Sequence, residues 1–108
     1  MKWSIRFYSE KVKKQTLELP SGIKAKLLHI LETIQELGPF VMGEPHIKPF
    51  GKGLYEIRAK GKEGIARSFY CLIEDNQLVI LHSIIKKSQK TPLKDLETIR
   101  KRMKEVKK

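Results

Sequence analysis

Cysteine is nearly absent from this sequence of 108 residues, which excludes two common ways of stabilising a small domain. The single cysteine, Cys71, has no partner for an internal disulfide. Three scattered histidines without a second cysteine give no structural zinc pattern. We therefore expect a domain held by its own apolar core, with no metal and no other cofactor.

Long apolar runs are missing as well. No stretch approaches the roughly 20 residues that a membrane-spanning helix needs, and residues 1–10 lack the apolar core of a signal peptide. A Gly-rich phosphate loop, a nucleophile elbow, a paired-carboxylate site and an HExxH motif are also absent. We expect a cytoplasmic protein without membrane contact, whose function has to be argued from its charge.

Positive charge is what the sequence has in excess. Lys and Arg number 23 against 12 Asp and Glu, which gives a net charge of +11. Residues 1–50 hold 8 basic and 5 acidic side chains, whereas residues 51–108 hold 15 and 7. This balance favours phosphate-rich or acidic partners, although a solubilising surface would look the same. The length and the 40% hydrophobic content fit one domain spanning residues 1–108.

The first half predicts a strand followed by two helices. Alternating apolar residues indicate a strand from Trp3 to Phe7, and Ser9 is placed to cap a short helix through about residue 17. Ser21 is placed to cap a second helix, which ends at Gly38 before a proline. The apolar residues of this helix recur every three or four positions: Ile23, Leu27, Ile30, Leu31, Ile34 and Leu37.

The second half predicts three strands and a helix. A glycine- and proline-rich loop spans residues 40–53, and strands follow at residues 54–60, 65–74 and 77–85 as an antiparallel meander. A last helix is predicted with Thr91 as its N-cap. Its apolar face comprises Leu93, Leu96, Ile99, Met103 and Val106. The fold class is therefore α+β, with helices packed on a mainly antiparallel sheet.

Closing each hairpin symmetrically about its turn places Glu74 opposite Gln77, Arg58 opposite Arg67, and Arg67 opposite Ile84. One face then packs against the second helix through Tyr55, Ile57, Ala59, Ala66, Tyr70, Leu72, Val79, Leu81 and Ile85. The other face has an apolar end for the last helix to cover, formed by Cys71, Ile73, Leu78 and Ile80. Its opposite end is charged and open, and comprises Glu56, Arg58, Lys60, Arg67, His82 and Lys86.

Two arginines that face each other across a strand pair repel by about 0.2–1 kcal/mol, so they need a counter-charge. A bound phosphate would provide it, and so would Glu56, diagonal to Arg67. His82 on the same face could transfer protons, although a single histidine on a strand is more often structural. The lysines of residues 86–90 lie at the same end, beside a helix start whose N–H groups favour anions.

The second half also resembles a known family. GLYEIR, an arginine early in the next strand, LH at the end of the strand after it, KKSQKTP and PLKDLETIRKR occur in the order found in the RelE/ParE superfamily of type II toxins. The sequence is most similar to the HigB-like, phage-related branch. The resemblance implies a RelE-like fold and an endoribonuclease that cleaves mRNA on the ribosome. It also implies neutralisation by a cognate antitoxin, with a helix-turn-helix protein expected.

The resemblance further implies roles for individual residues. Attack by the ribose 2′-hydroxyl on phosphorus needs no metal, and Arg67 would stabilise the phosphorane while Arg58, helped by Glu56, orients the phosphate. The catalytic candidates are Arg58, Arg67, His82, Lys86 and Lys87, the two lysines as holders of the RNA backbone or proton donors. RNA contacts are expected from Lys48, Tyr55, Lys60, Lys62, Gln89 and Lys90. The last residues, MKEVKK, lack the tyrosine or acidic-aromatic-histidine cluster of some relatives, so the proton acceptor is not identified.

Two other functions fit part of this pattern. A ParE-like toxin would act on DNA gyrase without cutting RNA, although ParE-like chains usually lack this basic set. A non-catalytic nucleic-acid-binding module would need only the charge and an exposed sheet. It would not need two arginines on one strand face together with a lysine loop.

Overall fold

The computed structural model describes residues 2–85 and 90–107. Its elements are β1 (Ser4–Phe7), α1 (Glu10–Leu17), α2 (Ser21–Leu37), β2 (Ile47–Gly51), β3 (Leu54–Gly61), β4 (Gly64–Ile73), β5 (Gln77–Ile85) and α3 (Leu93–Val106). The strands form one sheet in the order β1-β5-β4-β3-β2. β1 pairs with β5 in parallel, and the other pairs are antiparallel. The predicted α+β class is therefore confirmed.

The two faces of the sheet bury separate apolar clusters. α1 and α2 cover one face, called here the α2 face, whose core includes Val12, Ile23, Leu27, Ile30, Ile34, Ile57, Ala59, Ala66, Tyr70, Leu78 and Ile80. α3 covers part of the other face, called here the α3 face, over Leu54, Phe69, Cys71, Val79, Leu81 and Ile99. In the described part of the chain, no helix is both long and apolar enough to cross a membrane.

An edge strand lies where the sequence indicated only a loop. β2 falls within residues 40–53 and pairs with β3, so that Lys48 is opposite Glu56. Its pattern is weak because Pro49 and Gly51 interrupt it, and the register shifts between them. An edge strand tolerates proline since one side of it forms no ladder bonds.

The β4–β5 hairpin corrects the predicted register. Its turn is one residue longer, so Ile73, not Glu74, is opposite Gln77, and a bulge after Phe69 then restores the predicted pairing of Arg67 with Ile84. Because a one-residue shift reverses the faces of a strand, several residues move. Leu78 and Ile80 pack on the α2 face, and Val79 and Leu81 pack under α3, the reverse of the prediction. Ile85, expected in the core, is exposed.

The helix starts differ from the sequence prediction in two of three cases. Ser9 caps α1 as predicted, by accepting the Val12 N–H. Neither Ser21 nor Thr91 is an N-cap, since Pro20 and Pro92 occupy those positions. At α2 the Glu63 carboxylate accepts the N–H groups of the first turn instead, and the bond from Gly22 is the main cause that lowers the pKa of this carboxyl. At α3 the predicted apolar residue Leu93 is exposed.

We expect Gly61→Ala to destabilise the fold, because the β3–β4 turn touches the backbone of α2. A Cβ on Gly61 would lie 2.6 Å from the backbone nitrogen of Ile23 and 2.7 Å from the carbonyl carbon of Gly22. Overpacking of this kind costs about 1–3 kcal/mol. Urea unfolding measures the change. Gly43→Ala is the control, since its Cβ would meet nothing within 4 Å; equal midpoints for the two variants would contradict the expectation.

Candidate functional site

A buried carboxylate lies between two arginines on the α3 face. The β3–β4 hairpin places Arg58 directly opposite Arg67, as predicted from its symmetric turn. Glu56 is fully buried, and its Oε1 accepts the Arg58 Nε–H at 2.8 Å while its Oε2 lies 3.4 Å from the Arg67 Nε. Arg67 is also almost fully buried, whereas a third of the Arg58 side chain is exposed. These three residues are called the arginine cluster below.

The counter-charge for the two facing arginines comes from the protein itself. Glu56 offsets one of the two positive charges, so the facing arginines do not require a bound phosphate. The cluster keeps a formal charge of +1. Buried ion pairs are held in a fixed geometry because either partner alone would be costly in the interior. The arrangement therefore gives two guanidinium groups of defined orientation, of which Arg67 lies beside the start of α3.

A cleft of about 480 Å³ opens next to Arg67. The Nη1 of Arg67 donates to the Thr91 hydroxyl at 2.8 Å, which ties the sheet to the segment before α3. The described residues that line the cleft are Gln15, Leu19, Arg67, Ser83, Ile84, Ile85, Lys90, Thr91, Pro92 and Asp95. Thr91 was predicted to be a helix cap, but its hydroxyl accepts from Arg67 and orients that side chain.

Behind the cleft, three buried hydroxyl groups form a directed chain. Thr16 donates to the Val12 carbonyl, so its oxygen accepts from Ser83 at 2.8 Å. Ser83 in turn accepts from Ser68 at 2.8 Å. β1 pairs with β5 only at residues 77–80. Farther along the same edge of β5, the Ser83 N–H donates to the Gln15 side chain. This chain holds α1 against the sheet beside the cleft.

His82 bonds to α3 through both ring nitrogens. Its Nε2 lies 2.9 Å from the Asp95 Oδ1, and its Nδ1 lies 3.3 Å from the Arg102 Nη1. A guanidinium can only donate, so Nδ1 accepts and Nε2–H donates to Asp95. With only about a tenth of its side chain exposed, His82 is placed to orient Asp95. Its predicted role as a direct catalytic group stays a prediction.

The other predicted site residues are spread over several places. Lys90 borders the cleft, and Lys86, Lys87 and Gln89 lie outside the described residues. Lys48 is exposed on β2 beside Glu56, and Lys60 and Lys62 are at the β3–β4 turn. Tyr55 lies on the α2 face, where its ring stacks on Tyr70 at 5.3 Å. The structure therefore does not bring Tyr55 to the arginine cluster.

A groove lined by cations runs beside α3. Its described lining residues are Lys52, Arg100, Lys101, Met103, Lys104 and Lys107, and its volume is about 630 Å³. Five of these six carry positive charge and none is acidic, so the groove suits a chain of phosphates. This surface, called the α3 groove, was not predicted as a site. The lysine-rich sequence of α3 could have indicated this groove. The position of Lys52 beside α3 could not be predicted, because it depends on strand β2.

One protein family matches most of the chain. The model of the phage-derived protein Gp49-like family (DUF891) matches residues 14–104. The chain belongs to this family. The Gp49-like family is a RelE/toxin-like family, which confirms the resemblance seen in the second half at that level. A search among curated proteins gave no match.

Potential metal ligands and the single cysteine of this Gp49-like protein are placed as follows. Among residues 2–85 and 90–107, no group of His, Cys, Asp and Glu is arranged to hold a metal ion. Cys71 is buried under α3, and burial raises the pKa of its thiol, which makes it a poor nucleophile. Burial likewise raises the pKa of the Tyr70 hydroxyl on the α2 face.

We expect Glu56→Gln to lower the free energy of unfolding by about 3 kcal/mol, because it leaves the nearly buried Arg67 without its counter-charge. Chemical denaturation followed by circular dichroism measures the loss. Glu32→Gln removes the same charge from an exposed position of α2 and should change stability by less than about 0.5 kcal/mol. Equal stabilities for the two variants would show that Glu56 does not hold the cluster together.

Proposed function

We propose that this Gp49-like protein is the toxin of a type II toxin-antitoxin system, a HigB-like endoribonuclease that cleaves mRNA on the ribosome. The observation that carries the proposal is Arg67, which Glu56 and Thr91 hold in the wall of a cleft. The family match supports a toxin. A cytoplasmic location, a cognate antitoxin, and the ribosome as partner belong to the same proposal.

The geometry suits stabilisation of negative charge during phosphoryl chemistry. A guanidinium fixed by two protein partners does not need to reorganise when charge develops on a phosphorane, which is the property that makes preorganised groups effective. Burial strengthens the field of this guanidinium relative to water. In this scheme Arg67 faces the developing charge, and the more exposed Arg58 orients the scissile phosphate.

The arginine cluster also separates this proposal from the two alternatives. A simple binding module would gain affinity from exposed, flexible cations, and burial of an arginine on a carboxylate would add nothing to it. A ParE-like protein acting on gyrase would not need a cleft beside the arginine. The cluster is therefore better explained by chemistry on a phosphate than by attraction alone.

We expect the protein to cut mRNA in a cell-free translation system at positions in register with the ribosome, and Arg67→Lys to reduce cutting at least about 100-fold. Lysine keeps the charge, but it cannot meet Glu56 and Thr91 as a planar fork does. Primer extension on the mRNA measures the cuts. Arg6→Lys, at an exposed position of β1, is the matched control and should cut like the wild type.

Two results would count against the endoribonuclease. Stalled translation with intact mRNA would remove the nuclease activity from the proposal. Inhibition of gyrase supercoiling by the same preparation would favour the ParE-like alternative. Circular dichroism of Arg67→Lys shows whether a loss of cutting comes from a loss of fold. Arg58→Lys is a second variant at a less buried position.

The α3 groove should contribute affinity for RNA that depends strongly on salt. The triple change Arg100, Lys104 and Lys107 to Gln should reduce the slope of log K against log salt by about 2 for a single-stranded RNA, because each neutralised phosphate accounts for roughly 0.7 of that slope. Fluorescence anisotropy over a salt series measures it. The control changes the exposed Lys11, Lys13 and Lys14 of α1 to Gln, with the same loss of charge. Equal slopes for the two triple variants would exclude the groove as an RNA-binding surface.

A further inference from the structure

The proposed reaction needs a group that accepts the proton of the 2′-hydroxyl. The two clustered arginines cannot do this, since a guanidinium stays protonated in proteins. Glu56 cannot do it either, because it is fully buried and both of its oxygens face arginines. A proton acceptor must be a group in the cleft that can lose its proton and that contacts solvent.

Asp95 meets these requirements. It is the acidic residue among the described residues that line the cleft, where it shares the wall with Arg67 and Thr91. Its side chain is 31% exposed, enough to contact a substrate and too little to rotate freely. It belongs to the first turn of α3, whose start the bond between Arg67 and Thr91 ties to the sheet.

Hydrogen bonds from the sheet and from α3 orient the Asp95 side chain. His82 Nε2–H donates to Oδ1, which leaves Oδ2 for another partner. Arg102 fixes the far side of the imidazole, and its Nη1 also donates to the Leu81 carbonyl at 2.7 Å. The guanidinium of Arg102 lies 5.0 Å from the ring centre of Tyr8, a cation–π contact that holds it further. The carboxylate thus has one oxygen anchored and one available.

We propose that Asp95 is the general base of this Gp49-like toxin and that His82 is the residue that positions it. The inference rests on the proposed endoribonuclease function and assigns the step that the sequence left without a residue. The available Oδ2 takes the proton from the ribose 2′-hydroxyl, while the neutral imidazole holds Oδ1 in place.

The step balances in atoms and charge. The 2′-oxygen forms a bond to phosphorus as its proton moves to the Asp95 carboxylate. The bond from phosphorus to the 5′-oxygen then breaks, which yields a 2′,3′-cyclic phosphate and a 5′-hydroxyl end. The departing oxygen takes its proton from water or from a lysine ammonium beside the cleft, and Asp95 later returns its proton to solvent.

Asp95→Asn tests the base without removing the anchor, because the amide oxygen still accepts the His82 Nε2–H. General bases contribute about 100- to 10,000-fold, so the single-turnover rate of mRNA cleavage on the ribosome should fall at least 100-fold. Binding of the variant to ribosomes should stay within about twofold of the wild type. Glu97→Gln is the control, since Glu97 is an exposed acid on the same helix and is not among the cleft residues.

His82→Gln tests the positioning role through a double-mutant cycle. The single change should lower kcat with KM unchanged, and in the Asp95→Asn background it should lower the cleavage rate no further. A purely structural contact would instead lower the rate by the same factor in both backgrounds. An acid in the first turn of a helix also favours the helix itself. Unfolding midpoints of all variants therefore accompany the rates.

The outcomes separate this inference from the function on which it rests. A wild-type protein that cuts, together with an Asp95→Asn variant that cuts as fast, would overturn the base and leave the endoribonuclease standing. A wild-type protein that does not cut mRNA would overturn both. A cyclic phosphate product with the predicted loss in Asp95→Asn would support both.

Discussion

The ion pairs of Glu56 are the constraint on which the site depends. A carboxylate with no exposed surface is stable only if cations satisfy it, and Arg58 and Arg67 do so from neighbouring strands. Arg67 extends this constraint outward, because its Nη1 donates to the Thr91 hydroxyl. The segment before α3 is thus tied to a charge buried in the sheet.

The division of the sheet into two unequal faces explains why the cleft lies where it does. Two helices cover the α2 face with a continuous apolar core, whereas the single helix α3 covers only part of the other face. Beyond α3 this face is polar, and it carries Glu56 with its ion pairs to Arg58 and Arg67. The cleft lies beside Arg67 at the border of this polar region, where Arg67 bonds to Thr91. Fold and site therefore have the same physical origin.

The sequence predicted those features that depend on local chemistry. The two-residue β3–β4 turn is enough to place Arg58 opposite Arg67, and the apolar period of α2 is enough to identify its buried face. Features that depend on distant contacts were not predictable. The longer β4–β5 turn reversed the faces of residues 78–81, and the bulge after Phe69 restored the register only beyond them. The hydroxyl of Thr91 accepts from an arginine of another element instead of capping its own helix. Asp95 was missed because a first-turn acid is ordinary until the fold brings His82 beneath it.

The positive charge of this protein is divided between two kinds of surface, and the division matters more than the total of +11. The exposed cations of the α3 groove act over a Debye length and lose their effect as salt rises. The arginine cluster carries a net charge of only +1, so it contributes little to long-range attraction. Its value lies in geometry, because guanidinium groups held by Glu56 stay in place when a charge forms beside them. Under the proposed function, bulk charge would bring a polyanion to the protein, and only the anchored part of that charge would act on one phosphate.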